Sequence, residues 1–183
     1  MIFLKYITLL LISPAEGWKD IGKYAIPNNL VLSKLFYPSL GLLSLSSFVP
    51  FLLGYVSETL QGTVIIAMID FVKFFISFFV ISYLAIGFSS DLFKSKTEEN
   101  KLNNFIAFNL TILVIFNILS NLMPEFPFFE IFPLYIIYVV YRGLGYLNIP
   151  KNRVQVFVLI MSLLLLIVPN GMKFIFDLFI PNL

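Results

Sequence analysis

The chain contains no cysteine and no histidine among its 183 residues. Without cysteine it can form no disulfide, no thiolate nucleophile and no cysteine-ligated metal site, and without histidine it lacks the commonest general base and metal ligand. Charged residues are also scarce: they make up 12% of the sequence, whereas a soluble domain carries roughly 25%. This scarcity, together with a hydrophobic fraction of 60%, excludes an ordinary soluble globular domain and predicts an integral membrane protein.

The motifs of known catalytic chemistry are missing as well. The sequence has no glycine-rich phosphate loop, no nucleophile elbow and no paired catalytic carboxylates. An intramembrane hydrolase or acyltransferase needs a nucleophile with a base beside it, so we expect no enzymatic activity, no catalytic residue, no cofactor and no bound metal. The net charge of +2 comes from scattered basic residues and gives no reason to expect a nucleic acid partner.

Long uncharged runs divide the chain into five predicted membrane spans, because about 20 apolar residues cross the hydrocarbon of a bilayer. The predicted fold class is an all-α membrane protein, with an N-terminal arm at residues 1–34 and a five-helix transmembrane domain at residues 35–183. The fourth span is the weakest, since only 11 uncharged residues separate Glu130 from Arg142. Either the Arg142 side chain extends to the interface or this segment is short and sheltered. The predicted spans are 35–57, 68–90, 102–124, 128–147 and 154–172.

The basic residues between the spans give an independent prediction of topology, since cytoplasmic loops are enriched in Lys and Arg. From the N-terminus onward, the six segments outside the hydrophobic runs contain 4, 0, 3, 0, 3 and 1 basic residues, when Arg142 at the end of the fourth span is counted with the connection that follows it. This alternation predicts a cytoplasmic N-terminus and a C-terminus on the outer side of the membrane. A four-span arrangement without the fourth helix would place Lys151 and Arg153 outside, so the charge pattern favours five spans.

The N-terminal arm opens with an apolar run, residues 1–12, that is too short to span a membrane. A cleaved signal peptide is disfavoured because no small-x-small cleavage site follows. Ser13, Pro14 and Glu16 instead indicate the start of a helix with a capping box. We expect two short amphipathic helices at the cytoplasmic interface, with the Trp18 ring at headgroup depth. The alternative is a helix that packs under the bundle.

Two segments of the chain resemble the Yip1-type family of membrane proteins, in its bacterial branch. Residues 13–21, Ser-Pro-Ala-Glu-Gly-Trp-Lys-Asp-Ile, look like the opening motif of these proteins. Residues 141–147, Tyr-Arg-Gly-Leu-Gly-Tyr-Leu, are similar to the tyrosine-rich fourth span and its turn. The resemblance implies a five-helix membrane domain that acts as a non-catalytic scaffold or adaptor. The residues that match the family's motifs, and that we take as its candidate interface, are Pro14, Glu16, Gly17, Trp18, Tyr141 and Gly143.

Polar residues within the predicted second and third spans form a candidate intramembrane site. Asn109, Asn117 and Asn121 lie near one face of the third span, and Asp70 and Lys73 are three residues apart on the second. Antiparallel helices joined by a short loop usually pack together, so we expect Asp70, Lys73, Asn117 and Asn121 to form one polar cluster in the outer half of the bundle. Such a cluster either joins helices by hydrogen bonds or forms the polar path of a small transporter or channel subunit.

The expected partners follow from this membrane assignment. They are membrane lipids and an unidentified membrane or cytoplasmic protein, and a homo-oligomer is left open. Gly143 and Gly145 lie beside Arg142, and for them close helix packing or a turn is favoured over ligand binding.

Overall fold

The computed structural model describes residues 2–56, 59–89 and 95–179 of the chain. These residues form helices and turns, and no strand occurs among them. The predicted ends of the first and second spans, residues 57 and 90, and residue 94 of the predicted loop lie outside the described residues. The helices are α1 Ile2–Ile12, α2 Pro14–Ile21, α3 Asn28–Val31, α4 Tyr37–Ser46, α5 Val49–Leu52, α6 Leu60–Phe88, α7 Lys96–Leu122, α8 Tyr135–Arg142, α9 Leu144–Leu147 and α10 Val154–Phe179.

Within the described ranges, four helical segments are long and apolar enough to cross a membrane. They coincide with the predicted first, second, third and fifth spans, so the all-helical fold is confirmed, with helices compatible with a membrane protein. A fifth span is not confirmed. The four segments are Asn28–Leu52, Leu60–Phe88, Lys96–Leu122 and Lys151–Phe176.

The first three of these segments begin earlier than the charge pattern predicts, because polar and charged residues occupy their first turns. The Thr59 hydroxyl caps α6 by accepting a hydrogen bond from a backbone N–H at 3.1 Å. Ser95 and Glu98 form a capping box at the start of α7, so residues 96–101, whose mixed charges are typical of an exposed loop or a short interfacial helix, are helical and form the first turns of α7. The first segment starts at Asn28, which places the predicted boundary at residue 34 inside a helix.

The first long segment is not a uniform α-helix. A π-helical turn, Leu32–Phe36, separates α3 from α4. Pro38 follows in the first turn of α4, and because proline has no N–H, the regular helical hydrogen bond to the preceding turn cannot form there. The π turn adds one residue to the helical register while the Phe36 side chain remains fully buried.

The predicted fourth span is short and broken. Two 3₁₀ turns, Pro127–Glu130 and Phe132–Leu134, lead into α8, whose eight residues cover only about 12 Å. The Phe132 ring lies 5.6 Å from the Phe116 ring, toward the C-terminal end of α7. Gly143 lies against Phe105, toward the N-terminal end of α7. The segment therefore runs antiparallel to α7 and is short as the second alternative expects, but it is not sheltered, since Leu134, Tyr138 and Tyr141 are about half exposed.

The core of the protein is centred on α7, which is the most buried of the four long segments. Phe105 and Phe108 of α7 are fully buried, and Leu10 and Trp18 of the N-terminal arm pack into the same core. Large apolar side chains remain exposed on the outward faces of the long helices, for example Tyr83 of α6. Such faces suit a lipid environment, in which apolar side chains need no protein cover.

Candidate functional site

The predicted polar residues of α6 and α7 lie in contact. The Lys73 ammonium lies 2.6 Å from Oδ1 of Asp70 and donates a hydrogen bond to Oδ1 of Asn117 at 3.4 Å. Asn117 also donates from its amide nitrogen to the Leu113 carbonyl of its own helix at 2.9 Å. The structure thus brings Asp70, Lys73 and Asn117 together directly.

Two serines complete this site, Ser46 at the last position of α4 and Ser47 directly after it, and the sequence reasoning missed them. The Ser47 hydroxyl donates to Oδ2 of Asp70 at 2.7 Å. Asn121 donates from Nδ2 to the hydroxyl oxygens of Ser46 at 3.0 Å and Ser47 at 3.4 Å. The signal that could have found them is the concentration of serine at residues 44–47 of an otherwise apolar span. We define the polar cluster as Ser46, Ser47, Asp70, Lys73, Asn117 and Asn121.

The polar cluster is largely screened from the surroundings. The side chains of Lys73 and Asp70 are 9% and 14% exposed. A charge in such a place is costly unless it is paired and hydrogen-bonded, and both charges meet that condition. Asp70 accepts hydrogen bonds from Lys73 and Ser47, and the Lys73 ammonium lies 5.3 Å from the centre of the Phe74 ring. The cluster therefore neutralises its own charges while it joins α4, α6 and α7.

Asn109 lies outside the polar cluster, although it was predicted on the same helical face. Its side chain is fully buried, and Nδ2 donates to the Phe105 carbonyl of its own helix at 2.8 Å. Its Oδ1 is buried and has no hydrogen-bond partner among the described residues. Asn109 therefore forms no bond between helices.

Trp18 lies inside the protein, so its ring does not face lipid and the alternative of a helix packed under the bundle applies. Its residue surface is 2% exposed. The indole Nε1 donates a hydrogen bond to the Val139 carbonyl oxygen at 3.0 Å. The ring also stacks on the rings of Phe105 and Tyr146, with distances between ring centres of 4.8 Å and 5.3 Å. The ring contacts and the satisfied N–H explain the burial, since a buried indole needs a hydrogen-bond acceptor.

Two glycines of the predicted motifs make the packing of the arm possible. A Cβ atom on Gly143 would lie 2.4 Å from the Phe105 ring and 2.8 Å from Nε1 of Trp18. A Cβ atom on Gly17 would lie 2.8 Å from the Leu10 side chain, so α1 and α2 could not approach so closely. Gly145, by contrast, has no atom within 4 Å of a built Cβ. Close packing is therefore the role of Gly143 but not of Gly145.

The other motif residues have different surroundings. Pro14 is buried at the first position of α2. The predicted capping box of Ser13 and Glu16 is wrong: Ser13 makes no side-chain cap, and its N–H already donates to the Leu9 carbonyl at 2.7 Å, so Glu16 has no N–H to accept there. Glu16 is exposed, and Tyr141 is also exposed.

An ion-pair network holds α1 beside the end of α2. Asp20 accepts hydrogen bonds from Lys23 and from Lys5, each at 2.8 Å. These bonds, first from Lys23 and then from Lys5, lower the pKa of Asp20 to about 2. Both lysine side chains are more than half exposed, so water screens the pairs, which contribute little free energy and mainly orient the arm.

Comparison with known proteins gives no relative for this chain: no protein family model, no curated protein and no solved structure matches it. The resemblance to the Yip1-type family therefore remains a hypothesis that depends on the two motifs.

Proposed function

We propose that the protein is a non-catalytic integral membrane scaffold or adaptor of the Yip1 type, which acts through lipid or protein partners. The self-neutralised polar cluster carries this proposal. The charges of Asp70 and Lys73 neutralise each other, and the two side chains form hydrogen bonds with Ser47 and Asn117 of the neighbouring segments. Such an arrangement fixes the helices relative to one another. A large cavity lies elsewhere: Asn104, which lines it, is about 20 Å along α7 from Asn117.

The proposed scaffold crosses a bacterial inner membrane five times, with its N-terminus in the cytoplasm and its C-terminus outside. The centre of the Phe157 ring, near the start of α10, lies 5.9 Å from that of Phe88 and 6.5 Å from that of Phe105. The start of α10 is therefore close to the end of α6 and the start of α7. Helices α7 and α10 then run in the same direction, and α8 and α9 form the returning crossing. The alternating counts of Lys and Arg support the same topology.

The N-terminal arm is the proposed binding platform for a partner. Trp18 anchors one face of α2 in the core, while Glu16 and Lys19 of the opposite side and Tyr24 beyond the helix are exposed. A surface that is already ordered loses less conformational entropy on binding than a flexible tail does. The arm can therefore present polar and aromatic groups to a cytoplasmic or membrane protein at low cost.

Site-specific photo-crosslinking in native membranes tests the scaffold. A photoreactive amino acid replaces Glu16 or Tyr24 of the arm, and the matched control replaces Leu163, an exposed apolar residue of α10. We expect discrete protein adducts from the arm, which disappear when Trp18→Ala releases it, and adducts with lipid from position 163. Arm positions that give no protein adduct would contradict the proposal.

A small transporter or channel subunit is the second candidate, because an ionisable pair within an apolar span is often functional. Purified protein in proteoliposomes is assayed for ion flux with voltage-sensitive and pH-sensitive dyes, beside the Asp70→Asn variant. The scaffold proposal expects both proteins to give the same leak as empty liposomes. A flux that Asp70→Asn abolishes would replace the scaffold with a transporter.

A further inference from the structure

A cavity of about 910 Å³ opens between the N-terminal arm, the start of α7 and α9. The stacked rings of Trp18 and Tyr146 form part of its wall. The polypeptide between α2 and α3, residues 23–27, forms another part. The cavity therefore lies at the end of the bundle that the charge pattern assigns to the cytoplasm.

Hydrogen bonds within the chain keep this cavity formed. The Asn104 amide donates to the Ile26 carbonyl at 2.7 Å, and its side-chain oxygen accepts a hydrogen bond from Asn28 at 2.9 Å. Asn104 is 2% exposed, and both bonds are partly buried. They hold the segment between α2 and α3 against α7 and so fix this wall of the cavity.

The charged residues that line the cavity, among those the structure describes, are all basic. Among the described residues that line it, none carries a carboxylate, and the basic ones are Lys19, Lys23, Lys101 and Arg142. Lys23 is paired with Asp20. The other three have no ion-pair partner in the described part of the chain, and Arg142 has only the Tyr138 ring at 6.0 Å. A concave site lined by one sign of charge concentrates ions of the opposite sign.

We propose that this cavity binds a phosphate-bearing anion, with Lys19, Lys101 and Arg142 as the groups that contact the phosphate. A guanidinium can pair two phosphate oxygens at once, and lysine ammonium groups supply further charge. The volume is in the range of small-ligand sites, about 300 to 1,000 Å³, so either a phospholipid headgroup or a soluble phosphate ester fits. The site goes beyond the scaffold role and does not depend on it.

The fluorescence emission of Trp18 can report ligand binding, because Trp18 is the only tryptophan of the chain and lines the cavity. Full-length protein in a neutral detergent is titrated with sodium pyrophosphate in one arm of the experiment. In the other arm it is titrated with short-chain phosphatidylglycerol, and with phosphatidylcholine for comparison. We expect a saturable change in Trp18 emission with at least one anionic probe. A response to phosphatidylglycerol alone assigns a lipid headgroup, and a response to pyrophosphate assigns a soluble phosphate.

The triple variant Lys19→Gln, Lys101→Gln, Arg142→Gln should raise the apparent dissociation constant about tenfold or more, since each lost cation weakens the charge-assisted contact. The control Lys151→Gln removes an exposed cation outside the cavity and should leave the titration unchanged. If the triple variant unfolds, the three single variants replace it, each with a smaller loss.

Three results would overturn the proposal. The first is no saturable response to either anionic probe. The second is an equal response to phosphatidylcholine and phosphatidylglycerol, and the third is an equal loss of affinity from Lys151→Gln.

Discussion

The indole nitrogen of Trp18 donates a hydrogen bond to the Val139 carbonyl oxygen at 3.0 Å and so joins the arm to α8 across 121 positions of sequence. A second bond runs in the other direction, from the Tyr135 hydroxyl to the Leu11 carbonyl oxygen at 3.0 Å. Isolated helices shorter than about 12 residues are marginal in water, and α1, α2 and α8 are all this short. Each therefore depends on tertiary contacts, and these two bonds supply part of them.

Replacing Trp18 should release the arm. Trp18→Ala removes the hydrogen bond and the ring contacts, and we expect a loss of about 3 to 5 kcal/mol in the free energy of unfolding. Trp18→Phe keeps an aromatic ring but leaves the Val139 carbonyl with one partner fewer, which should cost about 1 to 3 kcal/mol. Denaturant titration in mixed micelles measures both, and faster trypsin cleavage after Lys19 and Lys23 should accompany the Ala variant. Unchanged cleavage would show that Trp18 does not hold the arm.

Gly143 and Gly145 form a matched pair for testing close packing. Gly143→Ala places a methyl group against the Phe105 and Trp18 rings, and overpacking of this kind costs about 1 to 3 kcal/mol. Gly145→Ala meets open space and should be neutral or stabilise by up to about 1 kcal/mol, because alanine favours the helix. Thermal unfolding of the two variants in the same detergent compares them directly. Equal effects would show that the contact at Gly143 is not restrictive.

Breaking the ion pair of the polar cluster should be costly. Asp70→Ala leaves the Lys73 ammonium, which is 9% exposed, without its counter-charge, and removal of one partner of a buried pair costs about 3 to 5 kcal/mol. The double variant Asp70→Leu, Lys73→Met removes both charges and should recover most of that loss. As a control, Asp20→Asn removes an exposed pair and should have a much smaller effect. A loss from Asp70→Ala as small as that of Asp20→Asn would show that the cluster is hydrated.

The bridge between Lys5, Asp20 and Lys23 should persist to low pH. The hydrogen bonds from the two lysines lower the pKa of Asp20 from its ordinary value of 3.8 to about 2. Because the folded-state pKa is the lower one, the contribution of Asp20 to stability is complete above its ordinary value and is lost as the pH falls through about 2. A carboxyl NMR titration of the detergent-solubilised protein measures this pKa. A midpoint near 3.8 would mean that the bridge does not form.

Topology reporters should distinguish five crossings from four. A reporter after Leu183 should report the outer side, and one inserted between Lys94 and Ser95, ahead of the first turn of α7, should report the cytoplasm. The physical reason is that α8 and α9 return the chain before α10 begins. Reporters that give the same side at both positions would mean that an even number of crossings separates them, which contradicts the five-span topology.

The grouping of Asp70, Lys73 and Asn117 was predictable from sequence, because helical periodicity fixes which side chains share a face and short loops make neighbours of consecutive helices. The part played by Ser46 and Ser47 was only hinted at by the concentration of serine at residues 44–47, since serine is common in membrane helices and the sequence does not specify which face α4 turns toward α6. The sequence could not predict the burial of Trp18 for a similar reason. An apolar helix face can pack against lipid or against protein, and only the packing against Phe105 in the structure distinguishes the two.

The π turn at Leu32–Phe36 sets the rotational phase of the rest of the first span. Each residue of an α-helix turns the chain by about 100°, and the π turn takes up one extra residue within a turn. If the same residues formed a regular α-helix instead, α4 would be rotated by roughly that angle about its axis. Ser46 and Ser47 would then face away from Asp70 and Asn121, although the π turn lies about 15 Å or more along the helix from them. The hydrogen bonds of the polar cluster thus depend on a backbone irregularity that lies outside its own residues.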